Sequence, residues 1–213
     1  MLGFKFKLES IYFTSFRCSV STSYLSSYPF PPFTTIRGII SNSLGISRDN
    51  FLLQDKIKIG IKVDNNINYC SELTKILKLK KEKRKSNRFP SSPVYREFLV
   101  NPIYSIYIAG DDEIISMINS SLKNPKRDLF IGTSDDLVDL TIYNPVNIFE
   151  DFDVPHSIID GIHEDCIIEK IPFKFHKNGC RFELEEKVIS IPNETFSKKL
   201  NLFNFKNEKI VLF

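Results

Sequence analysis

Polar and apolar residues alternate at the start of the chain: Lys5, Lys7 and Glu9 interleave with Phe4, Phe6 and Leu8, and this period of two predicts a first strand over about Phe4 to Phe16. The period changes at Pro31-Pro32-Phe33-Thr34-Thr35-Ile36-Arg37-Gly38-Ile39-Ile40. A proline stop and a threonine cap stand there ahead of apolar residues at Ile36, Ile39, Ile40 and Leu44, a helical spacing that Gly45 ends. Lys56 to Val63 alternates again and predicts a second strand, one face buried and the other a row of lysines. Pro102 to Ile108 is a β-branched and aromatic run. Asp111-Asp112-Glu113 then opens a helix with the negative charge that its positive N-terminal end favours, placing Ile114, Ile115, Met117, Ile118 and Leu122 on one side and ending before Asn124-Pro125. Leu129-Phe130-Ile131 reads as a short strand closed by Gly132. The order is β-α-β followed by β-α-β, the split βαβ plan of ferredoxin-like α+β folds. From Leu137 onward only short β-like runs remain, at Leu140 to Tyr143, Ile167 to Phe175, Arg181 to Ile191 and Lys209 to Phe213, which predict an appended antiparallel sheet. The expected division is 1–140 for the first domain and 141–213 for a C-terminal β-rich region.

Composition narrows the class. The 213 residues are 42% hydrophobic and 26% charged, with 19 Phe and 8 Tyr, enough for a core that buries roughly 70% of the unfolded chain's surface. Apolar stretches run four to six residues where a spanning helix needs about 20, so no transmembrane segment is expected. The N-terminus lacks the charged-then-apolar plan of a signal peptide. Cys18, Cys70, Cys166 and Cys180 are isolated, with no CxxC pair, and are expected as unpaired thiols in a reducing, cytoplasmic compartment.

The net charge of +3 identifies no partner, but its distribution is uneven. Lys75 to Arg88 is basic and leads into Phe89-Pro90, whereas Glu150 to Glu169 is acidic. Clustered Lys and Arg draw phosphates without regard to sequence, and an aromatic beside them offers a surface for a base to stack on. Lys80, Lys81, Lys83, Arg84, Lys85 and Arg88, with Phe89 and Tyr95 for stacking, are therefore expected to bind nucleic acid. Thr34, Thr35 and Arg37, where a helix opens, make a second expected phosphate seat. His156, Asp160, His163, Asp165 and Cys166 fall close together but in no ligand spacing, so neither metal nor cofactor is expected. His176, at an expected hairpin turn with Lys177 beside it, is the residue best suited to general acid or base work in RNA cleavage.

Four stretches, taken in order, resemble the fifth CRISPR-associated (Cas) protein family of the RAMP superfamily: Phe13 to Cys18; Pro31 to Ile40; Arg96 to Tyr107; and Leu122-Lys123-Asn124-Pro125 with Leu129 to Val138, which contains the Gly132-Thr133-Ser134-Asp135-Asp136 turn. The resemblance covers roughly residues 1 to 140. It implies an RRM-like domain, with a thumb inserted at about Asp64 to Val94, that caps the 5′ handle of CRISPR RNA without catalysis. It also implies antiviral partners: the backbone and large subunits of a type I Cascade complex, with target DNA met only indirectly and no membrane. Pro31 to Gly38 corresponds to the family's Pro-Pro-x-Thr-x-x-Arg-Gly pattern, making Arg37 an RNA contact, and Arg17 and Arg96 lie in the matching stretches. One branch of the family cleaves precursor RNA with a tyrosine, lysine and histidine, of which only His176 has a counterpart here, and the glycine-rich loop near the C-terminus is reduced to Asn178-Gly179. Two alternatives stand beside the capping subunit: a metal-independent endoribonuclease acting on repeat RNA, and a ferredoxin-like interaction or small-ligand module.

Overall fold

The computed structural model describes residues 1–18, 24–77, 91–133 and 136–213. Strand β1 (Leu2–Ser10) puts Phe4, Phe6 and Leu8 fully inside, each worth about 1.5–3 kcal/mol of burial. The single strand expected to reach Phe16 stops at Ser10, because the chain turns sharply at Ile11-Tyr12, where Tyr12 takes a φ of 85°. Short pieces follow: β2 (Phe13–Thr14), β3 (Phe16–Arg17), β4 (Tyr24–Leu25) and β5 (Ser27–Tyr28).

Helix α1 (Phe33–Leu44) ends at Gly45, whose φ of 72° suits a residue without a Cβ. Its first turn corrects the expected threonine cap: Pro32 is the N-cap, its carbonyl accepting from the backbone of Thr35 and Ile36, while Thr34 and Thr35 lie inside the helix. Proline pre-sets the backbone for helix entry and has no N–H to leave unpaired. Strand β6 (Ile57–Val63) forms as expected, but its lysines have partners: half-buried Lys62 reaches Glu208 at 3.3 Å, and exposed Lys58 lies 5.5 Å from the Phe203 ring.

The interlude that the sequence left without elements is a long antiparallel ribbon, β7 (Tyr69–Leu77) and β8 (Ser91–Val100), in register from Tyr69 opposite Leu99 to Leu77 opposite Ser91. The insertion therefore extends past the expected limit at Val94 to Val100. Alternation could not reveal β7, because it is solvated on both faces. Strand β9 (Ile103–Gly110) and helix α2 (Asp112–Lys123) form where expected, except that Met117, expected on the apolar side of α2, is 48% exposed while Asn119 is buried. Leu129-Phe130-Ile131 is not a strand; between Pro125 and Gly132 it has room only for an isolated bridge, Phe130 to Leu137. The fourth strand of the first sheet is instead β10 (Val138–Ile142), whose alternating burial fits a sheet edge and which contains residue 140.

The main sheet runs β10-β1-β9-β6, all neighbours antiparallel, with β11 (Val146–Asn147) extending the edge beside β1. Both helices pack on one face, over Phe4, Phe6, Leu8, Ile59, Ile61, Ile106 and Ile108. The C-terminal segment supplies β12 (Phe149–Asp153), β13 (Ile159–Asp160), β14 (Cys166–Asn178), β15 (Arg181–Pro192), β16 (Leu200–Phe205) and β17 (Glu208–Ile210). It divides its work. Phe205 and Ile210 cover the other face of the main sheet against Tyr107 and Ala109, while the β14–β15 hairpin packs beside α1. Residues 211–213 return along β6, where Phe213 and Ile59 exchange backbone bonds of 3.0 Å. Gly60 allows that approach: a Cβ there would overlap Ile210 and lie 3.0 Å from the Val211 carbonyl oxygen.

Among the described residues the fold is α+β, mostly β with two helices. No helix among them is long and apolar enough to cross a membrane, no group of side chains there could hold a metal, and all four cysteines are free.

Candidate functional site

A concavity of about 690 Å³ opens beside α1, between the loop that follows it and the β14–β15 hairpin. Thr34, Thr35 and Arg37 of α1 line it, as do Arg48 and Phe51 from the loop, Arg127 from beyond α2, and Phe175 and Phe182 from the hairpin. Phe51 stacks on Phe175 with centroids 5.5 Å apart and meets Phe182 edge-on at 5.4 Å. Gln54 holds this wall in place by pairing with the backbone of Phe175 in both directions: Nε2 donates to its carbonyl at 2.9 Å, and Oε1 accepts from its N–H at 3.2 Å.

Arg37 forms the floor and is only 7% exposed. Its Nη1 donates to the Phe173 carbonyl and its guanidinium lies 5.2 Å from the Phe173 ring, which ties α1 to β14. Nε and Nη2 are buried without a partner. Burial lowers its pKa to about 10, leaving the group charged at neutral pH. The two carboxylates whose charge it feels are engaged elsewhere, Asp55 by Lys174 at 2.7 Å and Glu185 by His176 at 2.6 Å.

A second surface lies on the ribbon. Tyr24, Tyr95 and Leu73 sit side by side across β4, β8 and β7, with Tyr95 54% and Leu73 63% exposed. The Arg96 guanidinium lies 4.4 Å from the Phe98 ring, and Phe98 in turn touches Phe13. Arg17 is exposed on β3.

The residues singled out from sequence thus fall in separate places. Thr34, Thr35 and Arg37 share the cleft, Tyr95 and Arg96 share the ribbon, and Arg17 stands on its own short strand. Lys80, Lys81, Lys83, Arg84, Lys85, Arg88 and Phe89 lie outside the described residues. His176 lies within β14, two residues before the end of that strand, rather than at the turn itself. Sequence reasoning missed Arg48, Phe51, Gln54, Arg127, Phe175 and Phe182, because folding brings them together from four separate segments. The one local signal was the pair of phenylalanines flanking the Asn178-Gly179 turn.

The turn beginning at Gly132 has a structural role. Asp136 Oδ2 accepts from Thr14 Oγ1 at 2.9 Å, the Ser15 N–H at 3.3 Å and the Thr133 N–H at 3.0 Å, and Oδ1 accepts from Thr133 Oγ1 at 2.8 Å. Gly132, at φ 72°, has no space for a Cβ, which would come within 2.6 Å of both Asp136 Oδ2 and the Ser15 carbonyl oxygen. The clasp joins β2 and β3 to the start of β10.

The chain thus combines an α+β fold with a cleft lined by arginines and phenylalanines and an inserted two-stranded ribbon. Residues 4–157 match the model of the CRISPR-associated protein family Cas_Cas5, and the chain belongs to that family. Its structure is similar to a chain of a CRISPR RNA-guided surveillance complex, with a TM-score of 0.63, 11% identity, and coverage of 99% of this chain and 91% of that one. It is also similar to a CRISPR protein from Archaeoglobus fulgidus, with a TM-score of 0.54, 12% identity, and coverage of 99% and 98%. A chain of the Type III-B Cmr-beta complex bound to cognate target RNA and AMPPnP aligns with a TM-score of 0.50 and 13% identity over 88% and 84%. At these identities the likeness is one of fold. No curated protein matches.

Proposed function

We propose that the chain is a non-catalytic, cytoplasmic RNA-binding subunit of a type I CRISPR interference complex, capping the 5′ handle of CRISPR RNA and contacting the backbone and large subunits. The observation that carries this reading is the β7–β8 ribbon. It leaves the main sheet between β6 and β9, has β7 solvated on both faces while β8 buries Val94 and Leu99, and flanks in sequence the run that contains Lys80 to Arg88. Strand β7, exposed along almost its whole length, adds little to a core, so its length calls for a partner outside the domain. The exposed Tyr95 and Leu73 and the nearby Arg96 offer stacking and charge midway along it. Family membership supports a role in CRISPR interference complexes. The strand order β10-β1-β9-β6, with helices after β1 and β9, supports assigning the first domain to the ferredoxin-like, RRM-like class.

The test is a triple substitution, Lys81→Ala with Arg84→Ala and Lys85→Ala, assayed for binding to handle RNA over a range of salt concentrations. Each phosphate contact on a single strand contributes about 0.7 to the slope of log affinity against log salt, so the slope should fall by about 2. Unchanged handle affinity and unchanged assembly with the partner subunits would remove the basic run from the role.

A further inference from the structure

The cleft beside α1 has a feature that packing alone does not explain. A buried cation is costly unless an anion or a full set of acceptors compensates it. Arg37 has one carbonyl acceptor, an aromatic face, two unpartnered nitrogens, and no ion pair among the described residues. Arg48 is exposed at the rim, and Arg127, though it donates to the carbonyls of Gly45 and Ile46 at 3.2 and 3.1 Å, adds a third positive charge. Asp49 is the lone carboxylate in the lining. The cavity attracts anions.

Its walls restrict which anion. Phosphate alone would leave most of about 690 Å³ vacant, a volume within the ordinary range for small-molecule sites. The Phe51, Phe175 and Phe182 cluster presents ring faces and edges at the side opposite the helix, a surface for a flat heterocycle. Thr34 and Thr35 add hydroxyls near the helix opening. We infer that the cleft is a nucleoside phosphate site, with the ring against Phe51 and its hairpin partners and the phosphate drawn toward Arg37 and Arg48.

The ligand has two sources of the same chemistry, a free nucleotide or a terminal nucleotide of RNA; only the second rests on the capping role proposed above. Calorimetric titration of the full chain with adenosine monophosphate, adenosine and inorganic phosphate tests the site. The monophosphate should bind, and adenosine and phosphate should each bind at least about tenfold more weakly, since each keeps one half of the recognition. Phe51→Ala and Arg48→Ala, both away from the main core and checked for an unchanged melting profile, should each weaken the monophosphate about tenfold.

Displacement of the monophosphate by a short single-stranded RNA assigns the site to an RNA terminus, and binding without displacement assigns it to a free nucleotide. No binding of the monophosphate at millimolar concentration, or equal binding by parent and both variants, overturns the inference. Handle-RNA binding measured in parallel separates the two proposals: if it persists while the nucleotide fails, the cleft assignment alone falls. If it fails while the nucleotide binds, the capping role alone falls.

Discussion

Asp136→Ala removes an acceptor that serves four donors, and the cost follows from where those donors sit. Thr133 is exposed, and water replaces the carboxylate for its N–H and hydroxyl. Thr14 and Ser15 are buried, and on loss of the carboxylate Thr14 Oγ1 keeps only a 3.4 Å contact to the Ile131 carbonyl while the Ser15 N–H keeps none. A hydrogen bond to a charged group contributes about 1.5–3 kcal/mol, and a buried donor left unsatisfied costs about 1–3 kcal/mol. With the two buried donors dominating, destabilisation should be about 3 kcal/mol. For a chain of this size each kcal/mol lowers the melting temperature by about 2–4 °C, so a fall of about 6–12 °C is expected in thermal unfolding followed by circular dichroism. Asp136→Asn keeps one acceptor oxygen and should lose about half as much. A melt of Asp136→Ala within about 2 °C of the parent would show that the clasp bears no load and refute the reasoning.

Two further substitutions probe the far side of the main sheet. Gly60→Ala should destabilise by about 1–3 kcal/mol, read by urea unfolding, because its methyl group must displace Ile210 and the returning backbone at Val211. Burial pushes the Glu208 carboxyl up, but the Lys5 ammonium at 2.9 Å and Lys62 outweigh this and hold its pKa below the usual glutamate range. An acid whose pKa is lowered by folding stabilises above its unfolded value, and that contribution is lost as pH falls through the lower folded value. Stability should therefore drop in acid below about pH 4.5 in the parent, and Glu208→Gln should flatten that part of the profile.

Strands β1 and β6 were legible because one face is buried and the other polar, an asymmetry that period-two alternation records; β9, buried on both faces, showed instead as a β-branched and aromatic run, and both helices stand close to their sequence signals. Legibility ended where a strand is solvated on both faces or local cues conflict. Strand β7, wet on both faces, carries no alternation of burial. Leu129-Phe130-Ile131 has strand composition, yet pairs at one bridge because the clasp turns the chain away immediately afterwards. The cleft was half visible: the Thr34 to Arg37 segment could be read locally, but its aromatic wall depends on Phe51 meeting Phe175 and Phe182 across the fold. Arg37 itself, expected at the surface by residue type, is buried because the β14–β15 hairpin closes over it.

The central position of β1 has a consequence for how the protein is made. Leu8 pairs with Tyr104 on one side and with Leu140 on the other, so this strand leaves the ribosome long before either neighbour exists. Until then Phe4, Phe6 and Leu8 form an unpaired apolar ridge, the kind of segment that recruits other chains into aggregates. Lys5 and Lys7, spaced between them, act as gatekeepers during that wait. Such late pairing makes folding slow, and expression at low temperature or with a chaperone that holds the nascent N-terminus should raise the soluble yield.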